Sequence, residues 1–225
     1  STPIISSYRD FSGGINNYSA SVSLAANESP RLLNVDIDKF GELSQRNGYL
    51  SCGSIPGGGT ATNIYNYTKN DGSQRLIITD NESIRETTDC ILFSNITTGQ
   101  TATAMPRFAT ILDKLWIVNG STWPITWDGT TATMLDGSDA AEPALYKAKY
   151  ITYWKSRVWL ANTPTNPSSV YFSSLVDTDG TILNPETSTA AWSDTNQIYI
   201  SRDDGYGISA MRAYRDNVYV GKETG

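Results

Sequence analysis

One phrase recurs along this chain: a polar turn, a burst of apolar and aromatic residues, then small polar residues. It reads Asp113-Lys114-Leu115-Trp116-Ile117-Val118-Asn119, returns as Ser156-Arg157-Val158-Trp159-Leu160-Ala161-Asn162, and returns again as Asp216-Asn217-Val218-Tyr219-Val220-Gly221-Lys222. A weaker copy, Gln74-Arg75-Leu76-Ile77-Ile78-Thr79-Asp80, comes earlier. Leu76 to Leu115 spans 39 residues, Leu115 to Val158 spans 43 and Val158 to Val218 spans 60, so the last interval carries an insertion. A period of about 40 to 50 residues in a strand-rich chain is the signature of propeller blades. The repeat therefore constrains the architecture before any chemistry is considered.

The rest of residues 61–225 supports strands. Runs at 90–93, 125–128 and 170–173 read as hairpin partners of the recurring phrases, and 107–112 and 150–154 read as strands leading into the next one. The polar stretch 177–196 is loop-like and holds the insertion. Trp116, Trp159 and Tyr219 occupy equivalent positions and are expected to pack between blades. About three antiparallel blades are present, whereas closed propellers typically have 4 to 8. The expectation is an incomplete array: a fragment, a processed chain, or one completed by another polypeptide. The expected fold is all-β, with β-propeller-like antiparallel blades over 61–225 preceded by an extended N-terminal arm over 1–60.

The arm differs in texture. Residues 8–17 are extended and turn at Gly13-Gly14. Ser29-Pro30 predicts one helical turn, with Ser29 as N-cap and Pro30 at the first helical position. Residues 34–38 alternate as a strand, 40–43 turn it, and 43–49 return it. Pro56-Gly57-Gly58-Gly59 marks a flexible break.

Composition narrows the chemistry. The 225 residues contain no histidine, which removes Ser-His-Asp catalysis and His-ligated zinc. No Gly-rich phosphate loop with Lys-Ser/Thr occurs. Ser201-Arg202-Asp203-Asp204-Gly205-Tyr206 matches the Ser-x-Asp-x-Gly core of the Asp-box hairpin, a structural turn. Asp36/Asp38 and Asp177/Asp179 are paired carboxylates without EF-hand spacing. No catalytic residue, metal site or cofactor is expected, and the chain is expected not to be an enzyme. The net charge of −6 argues against a basic nucleic-acid patch; on charge alone it reads first as simple solubility, and it also suits a surface past which DNA slides. No run reaches the roughly 18 apolar residues of a membrane span. Cys52 and Cys90, 38 residues apart, leave a disulfide open, but the expectation is two buried free thiols if assembly takes place in a reducing cytoplasm.

Three segments in order carry a resemblance: Phe11-Ser12-Gly13-Gly14-Ile15-Asn16, then Glu28-Ser29-Pro30-Arg31-Leu32-Leu33-Asn34-Val35, then Gly41-Glu42-Leu43-Ser44-Gln45-Arg46-Asn47-Gly48-Tyr49. This pattern resembles the opening of tailed-phage virion proteins, and is similar to the start of podophage tail nozzle (tail tubular) proteins. The stretch 198–225 also resembles phage propeller proteins. The resemblance implies a non-enzymatic, homo-oligomeric ring below the portal and head–tail adaptor. Such a ring bounds the channel through which double-stranded DNA leaves, without sequence-specific binding, and sometimes holds tail fibres or spikes. It implies a virion location after assembly in the host cytoplasm, with no membrane partner. The arm then becomes a docking element, because an extended, Gly-turned segment is suited to adding a strand to a neighbour. The expected contact residues are Tyr8, Phe11, Gly13, Gly14, Leu32, Leu33, Leu43 and Arg46; the competing expectation is that the same residues close the fold's own first sheet. The alternative expectation is a carbohydrate-binding, lectin- or sialidase-like propeller module, with surface Trp and Tyr stacking on sugars.

Overall fold

The computed structural model describes residues 10–48, 51–80, 82–101, 104–138, 143, 145–175, 177, 180–201 and 204–223. The chain is all-β and divides into two compact units, 1–51 and 52–225.

In the first unit β1 (Gly14–Ile15) pairs in parallel with β2 (Glu28–Ser29), and β3 (Val35–Ile37) pairs antiparallel with β4 (Leu43–Gln45). The hairpin of β3 and β4 lies within the segment read as strand, turn and return strand. The expected helical turn at Ser29 does not form. The Ser29 hydroxyl instead donates to the Arg31 carbonyl at 2.9 Å, a local side-chain bond that competes with helix initiation.

The second unit is built from antiparallel sheets in chain order. The first comprises β5 (Asn63–Thr68), β6 (Gln74–Thr79), β7 (Ile84–Thr87) and β8 (Ser94–Thr97). The second comprises β9 (Arg107–Ile111), β10 (Lys114–Val118), β11 (Ile125–Trp127) and β12 (Ala132–Met134). The third comprises β13 (Tyr150–Trp154), β14 (Arg157–Ala161), β15 (Ser169–Phe172) and β16 (Gln197–Tyr199). The fourth is the two-stranded pair β17 (Ile208–Tyr214) and β18 (Asn217–Lys222). Each recurring phrase is thus the second strand of a sheet, and its polar start is the hairpin turn that precedes it. Two of these turns, at Leu112-Asp113 and Lys155-Ser156, place both residues at positive φ, the mirror-type geometry whose twist matches paired strands.

The apolar density of the phrase follows from where the sheets put it. On β10, Leu115 and Ile117 join Tyr67, Ile77 and Ile84 of the first sheet in one cluster. The alternate residues Trp116 and Val118 join Ile151, Val158, Leu160 and Tyr171 of the third sheet in another. Successive strand residues point to opposite faces, so a strand buried on both faces reads as a continuous apolar run. On β14 the same alternation sends Val158 and Leu160 to the second sheet and Trp159 and Ala161 to the fourth. Trp116 and Trp159 therefore pack between sheets. Tyr219 does not: it is 57% exposed on β18, where no further sheet covers it among the described residues.

Two other readings are corrected. Residues 90–93 are not a strand but the bend between β7 and β8, where the Asp89 carboxylate accepts the Ile91 and Leu92 backbone N–H groups and Cys90 takes positive φ. Ile91 and Leu92 are each 73% exposed, so their apolar character signals no burial. Cys52 and Cys90 are not buried thiols. They form a disulfide in which Cys52 is exposed and Cys90 half-buried. The bond fastens the segment after Ser51 to the first sheet, and residues 52–60 accordingly group with the second unit.

The insertion between β15 and β16 lies over 173–196. It is clamped to the second sheet by Glu186, whose Oε1 accepts from Lys114 Nζ and from Thr126 Oγ1, each at 2.7 Å. Burial alone would raise the Asp80 carboxyl pKa, but hydrogen bonds from Arg85 and from the Ser83 backbone outweigh it and the group lies below the usual range.

Candidate functional site

Two features stand out, one in each unit. In the first unit the striking-point residues of the expected docking arm are assembled by backbone contacts. The Phe11 N–H donates to the Gly41 carbonyl at 3.0 Å, Gly13 N–H to Asn27 O at 3.1 Å, and Gly14 N–H to Phe11 O at 2.9 Å. These bonds tie the Gly-Gly turn both to β2 and to the tip of the β3–β4 hairpin. A side chain at Gly13 would meet Asn27 O at 2.9 Å and Glu28 Cγ at 2.7 Å, so the close approach of β2 requires glycine there. Gly41 has φ +81° and packs against the backbone of Phe11 and Ser12, which again only glycine accommodates.

Side-chain carboxylates and amides complete the unit. Asp38 Oδ1 accepts from Phe40 and Glu42 N–H, and Asn16 Oδ1 accepts from Tyr18 and Ser19 N–H. Asn16 Nδ2 donates to Glu28 Oε2 at 3.0 Å. Asp10 accepts the Ser12 N–H, and this bond holds its carboxyl below the ordinary range. These organising residues were missed by sequence reasoning, although Asn and Asp beside glycine and serine turns are the available signal.

What the described residues of the unit lack is a core. Among described residues 10–48 only Gly41 is buried, and no apolar side chain is. Phe11, Leu32 and Leu43 are half-buried, while Leu33 is 66% exposed and Ile15, Tyr18, Val22 and Phe40 are also exposed. Arg46 pairs with Asp36 at 3.1 Å across the hairpin, with both side chains more than half exposed. Such a pair contributes at most about 1 kcal/mol. Phe11 lines a shallow cavity of about 430 Å³ with Leu24, Ala25 and Glu28. Tyr8 lies outside the described residues. Of the expected contact residues, the backbone brings Phe11, Gly13 and Gly14 together, and Leu43 and Arg46 share the β3–β4 hairpin. Leu32 and Leu33 lie on the connection between β2 and β3.

In the second unit the first strands of successive sheets lie side by side: β5 by β9, β9 by β13, and β13 by β17. Polar links join them. Tyr65 Oη and Thr110 Oγ1 share a hydrogen bond at 3.0 Å, and the Ala213 N–H donates to Thr152 Oγ1 at 3.2 Å. All four strands line one cavity of about 650 Å³. Among the described residues its charged lining is Arg107 and Arg212, with no carboxylate.

No catalytic constellation is assembled from these groups. Glu186 is buried and its Oε1 accepts from both Lys114 and Thr126, as a structural clamp would. In the Asp-box-like turn, Arg202 and Asp203 lie outside the described residues. Asp204 accepts from Lys222 Nζ at 2.6 Å and from the Tyr206 N–H, which lowers its pKa and ties the turn to β18. Among the described residues no group of three or more His, Cys, Asp and Glu side chains gathers as a metal site. No model of a known protein family matches the chain, and no curated protein matches it.

Proposed function

We propose that this chain is a structural component of a phage tail, a nozzle-like subunit that packs with copies of itself into a ring below the portal and adaptor. The single observation that carries the reading is the coreless first unit. A segment whose described residues, 10–48, bury no apolar side chain gains little from burial and, standing alone, cannot offset the entropy of ordering its backbone. A neighbouring subunit's surface over Phe11, Leu32, Leu33 and Leu43 supplies the missing burial, at about 25 cal/mol per Å² of apolar area covered. Tyr8, Gly13, Gly14 and Arg46 belong to the same contact, the glycines as the turn that shapes it. The ordered motifs at 11–16, 28–35 and 41–49 support the virion assignment.

The second unit is a propeller-type array. Four antiparallel sheets follow one another in the chain, share apolar clusters face to face, and line one cavity with their first strands, as successive blades do. In the ring such an array bounds the DNA exit channel, and the acidic balance of −6 lets the duplex pass without adhering. Adaptor or portal proteins lie above it and fibres or spikes attach to it. An exposed Cys52 permits the disulfide to close once the particle leaves the reducing cytoplasm.

Sedimentation velocity of the full chain tests the proposal. The expected result is one symmetric assembly, which Leu33→Asp converts to monomer with an unchanged circular-dichroism spectrum. A wild-type chain that stays monomeric at about 100 μM, a hundredfold above a micromolar dissociation constant, refutes it.

A further inference from the structure

A second cavity lies between the loops of the second and third sheets, about 510 Å³ in volume and wholly within the second unit. Its size falls in the range of about 300–1,000 Å³ usual for small-ligand sites. Three connections supply its wall: Ser121 and Trp123 from the β10–β11 loop, Tyr146 and Lys147 from the approach to β13, and Thr163 and Thr165 from the β14–β15 loop.

The wall is built rather than incidental. The Tyr146 ring stacks on Tyr171, centroids 3.7 Å apart and planes 19° off parallel, so its orientation is set by the sheet beneath. Tyr171 Oη in turn accepts from Asn166 Nδ2 at 3.1 Å. Thr163 is buried and its Oγ1 accepts the Asn166 N–H at 3.0 Å, which shapes the loop that carries Thr165. The Ser121 N–H and the Thr122 N–H both donate to Asn119 Oδ1, which fixes the loop that carries Trp123. Burial raises the Tyr146 phenol pKa, so it stays a protonated donor at neutral pH.

Lys147 gives the site its polarity. It is the one charged residue among the described residues of the lining, and its Nζ lies 5.0 Å from the Trp123 ring centroid. It forms no ion pair with any described residue, in a chain whose net charge is −6. An aromatic wall packs against the C–H faces of a sugar ring, serine and threonine hydroxyls match its hydroxyls, and a cation without a carboxylate partner calls for an anion.

We propose that this cavity binds a carboxylate-bearing sugar: the pyranose ring against Trp123 and Tyr146, the carboxylate at Lys147, the ring hydroxyls toward Ser121 and Thr165. The assignment is independent of the tail-ring reading, because it uses no residue of the first unit and requires no assembly.

The test is calorimetric titration of the full chain with the methyl glycosides of glucuronic, galacturonic and N-acetylneuraminic acid, beside methyl glucoside and methyl galactoside as neutral counterparts. At least one acidic glycoside is expected to bind about tenfold or more tightly than the neutral ones, as a charge-assisted contact allows. Lys147→Met, which keeps an apolar stem beside Trp123, is expected to abolish that preference without shifting the thermal midpoint. Trp123→Ala is expected to abolish binding of every glycoside, with Trp123→Phe as the milder variant if the alanine protein does not fold. The proposal is overturned if no acidic glycoside binds below about 10 mM, the weak limit of specific recognition. It is equally overturned if acidic and neutral glycosides bind alike, if Lys147→Met keeps the preference, or if a folded Trp123 variant binds as the wild type does.

Discussion

Replacing Glu186 by alanine should unfasten the insertion from the second sheet, and the size of the effect follows from what the carboxylate leaves behind. Thr126 is 1% exposed, and its hydroxyl donates to Glu186 Oε1. Losing that acceptor strands a buried donor, at about 1–3 kcal/mol. The Lys114 ammonium donates to the same oxygen, but its side chain is 36% exposed and recovers water, so its share is at most about 1 kcal/mol. The sum is a loss of about 1–4 kcal/mol. Urea unfolding followed by tryptophan fluorescence reads it directly, because Trp192 sits in the same insertion with its indole N–H on the Pro185 carbonyl at 2.7 Å. Thr126→Val alone should cost about 1 kcal/mol, and the double variant should be no less stable than Glu186→Ala, since the hydroxyl is already orphaned. A loss under about 0.5 kcal/mol for Glu186→Ala, or strict additivity of the two changes, would refute the clamp.

Other expectations follow from individual contacts. Gly41→Ala should break the Phe11–Gly41 bond, because the new methyl meets Ser12 N at 2.9 Å and Phe11 N at 3.0 Å and φ is +81°. Amide exchange at Phe11 should accelerate about tenfold or more while β9–β14 stay protected, and unchanged exchange would contradict this. Reducing the Cys52–Cys90 bond, which closes a 38-residue separation, should lower stability by about 2–4 kcal/mol in urea titrations with and without reductant. Tyr67, with its hydroxyl on the Asp113 carbonyl, has a pKa raised to about 12, first by burial and then by Asp113 and Asp128. Its unfolded phenol ionises near 10, so its contribution is intact below pH 10 and is lost as pH rises toward 12, by about 2–3 kcal/mol. Tyr67→Phe should show a correspondingly shallower loss over that interval, and identical slopes would exclude the assignment.

How much of this was legible in the sequence depends on the range of the forces involved. The recurring phrase marked the second strands of the four sheets because period-two alternation and turn residues are local properties of the chain. The β3–β4 hairpin and the insertion were legible for the same reason. The apolar run at Cys90–Phe93 misled: its residues lie in a bend held by Asp89, and hydrophobicity alone does not report whether a neighbour covers it. Ser29 misled likewise, because a residue able to cap a helix bonded its own loop instead.

The chain's local code determined that it would be all-β, where the second strand of each sheet would fall and that no histidine would be available. Tertiary structure alone decided that Leu115 faces one sheet and Trp116 another, that Cys52 meets Cys90, and that Glu186 reaches Lys114 and Thr126 from 72 and 60 residues away. It also decided that residues 10–48 bury no apolar side chain and that Trp123, Tyr146 and Lys147 share a cavity. Each of these depends on segments distant in the chain being brought together by packing, and no local pattern encodes which faces will meet.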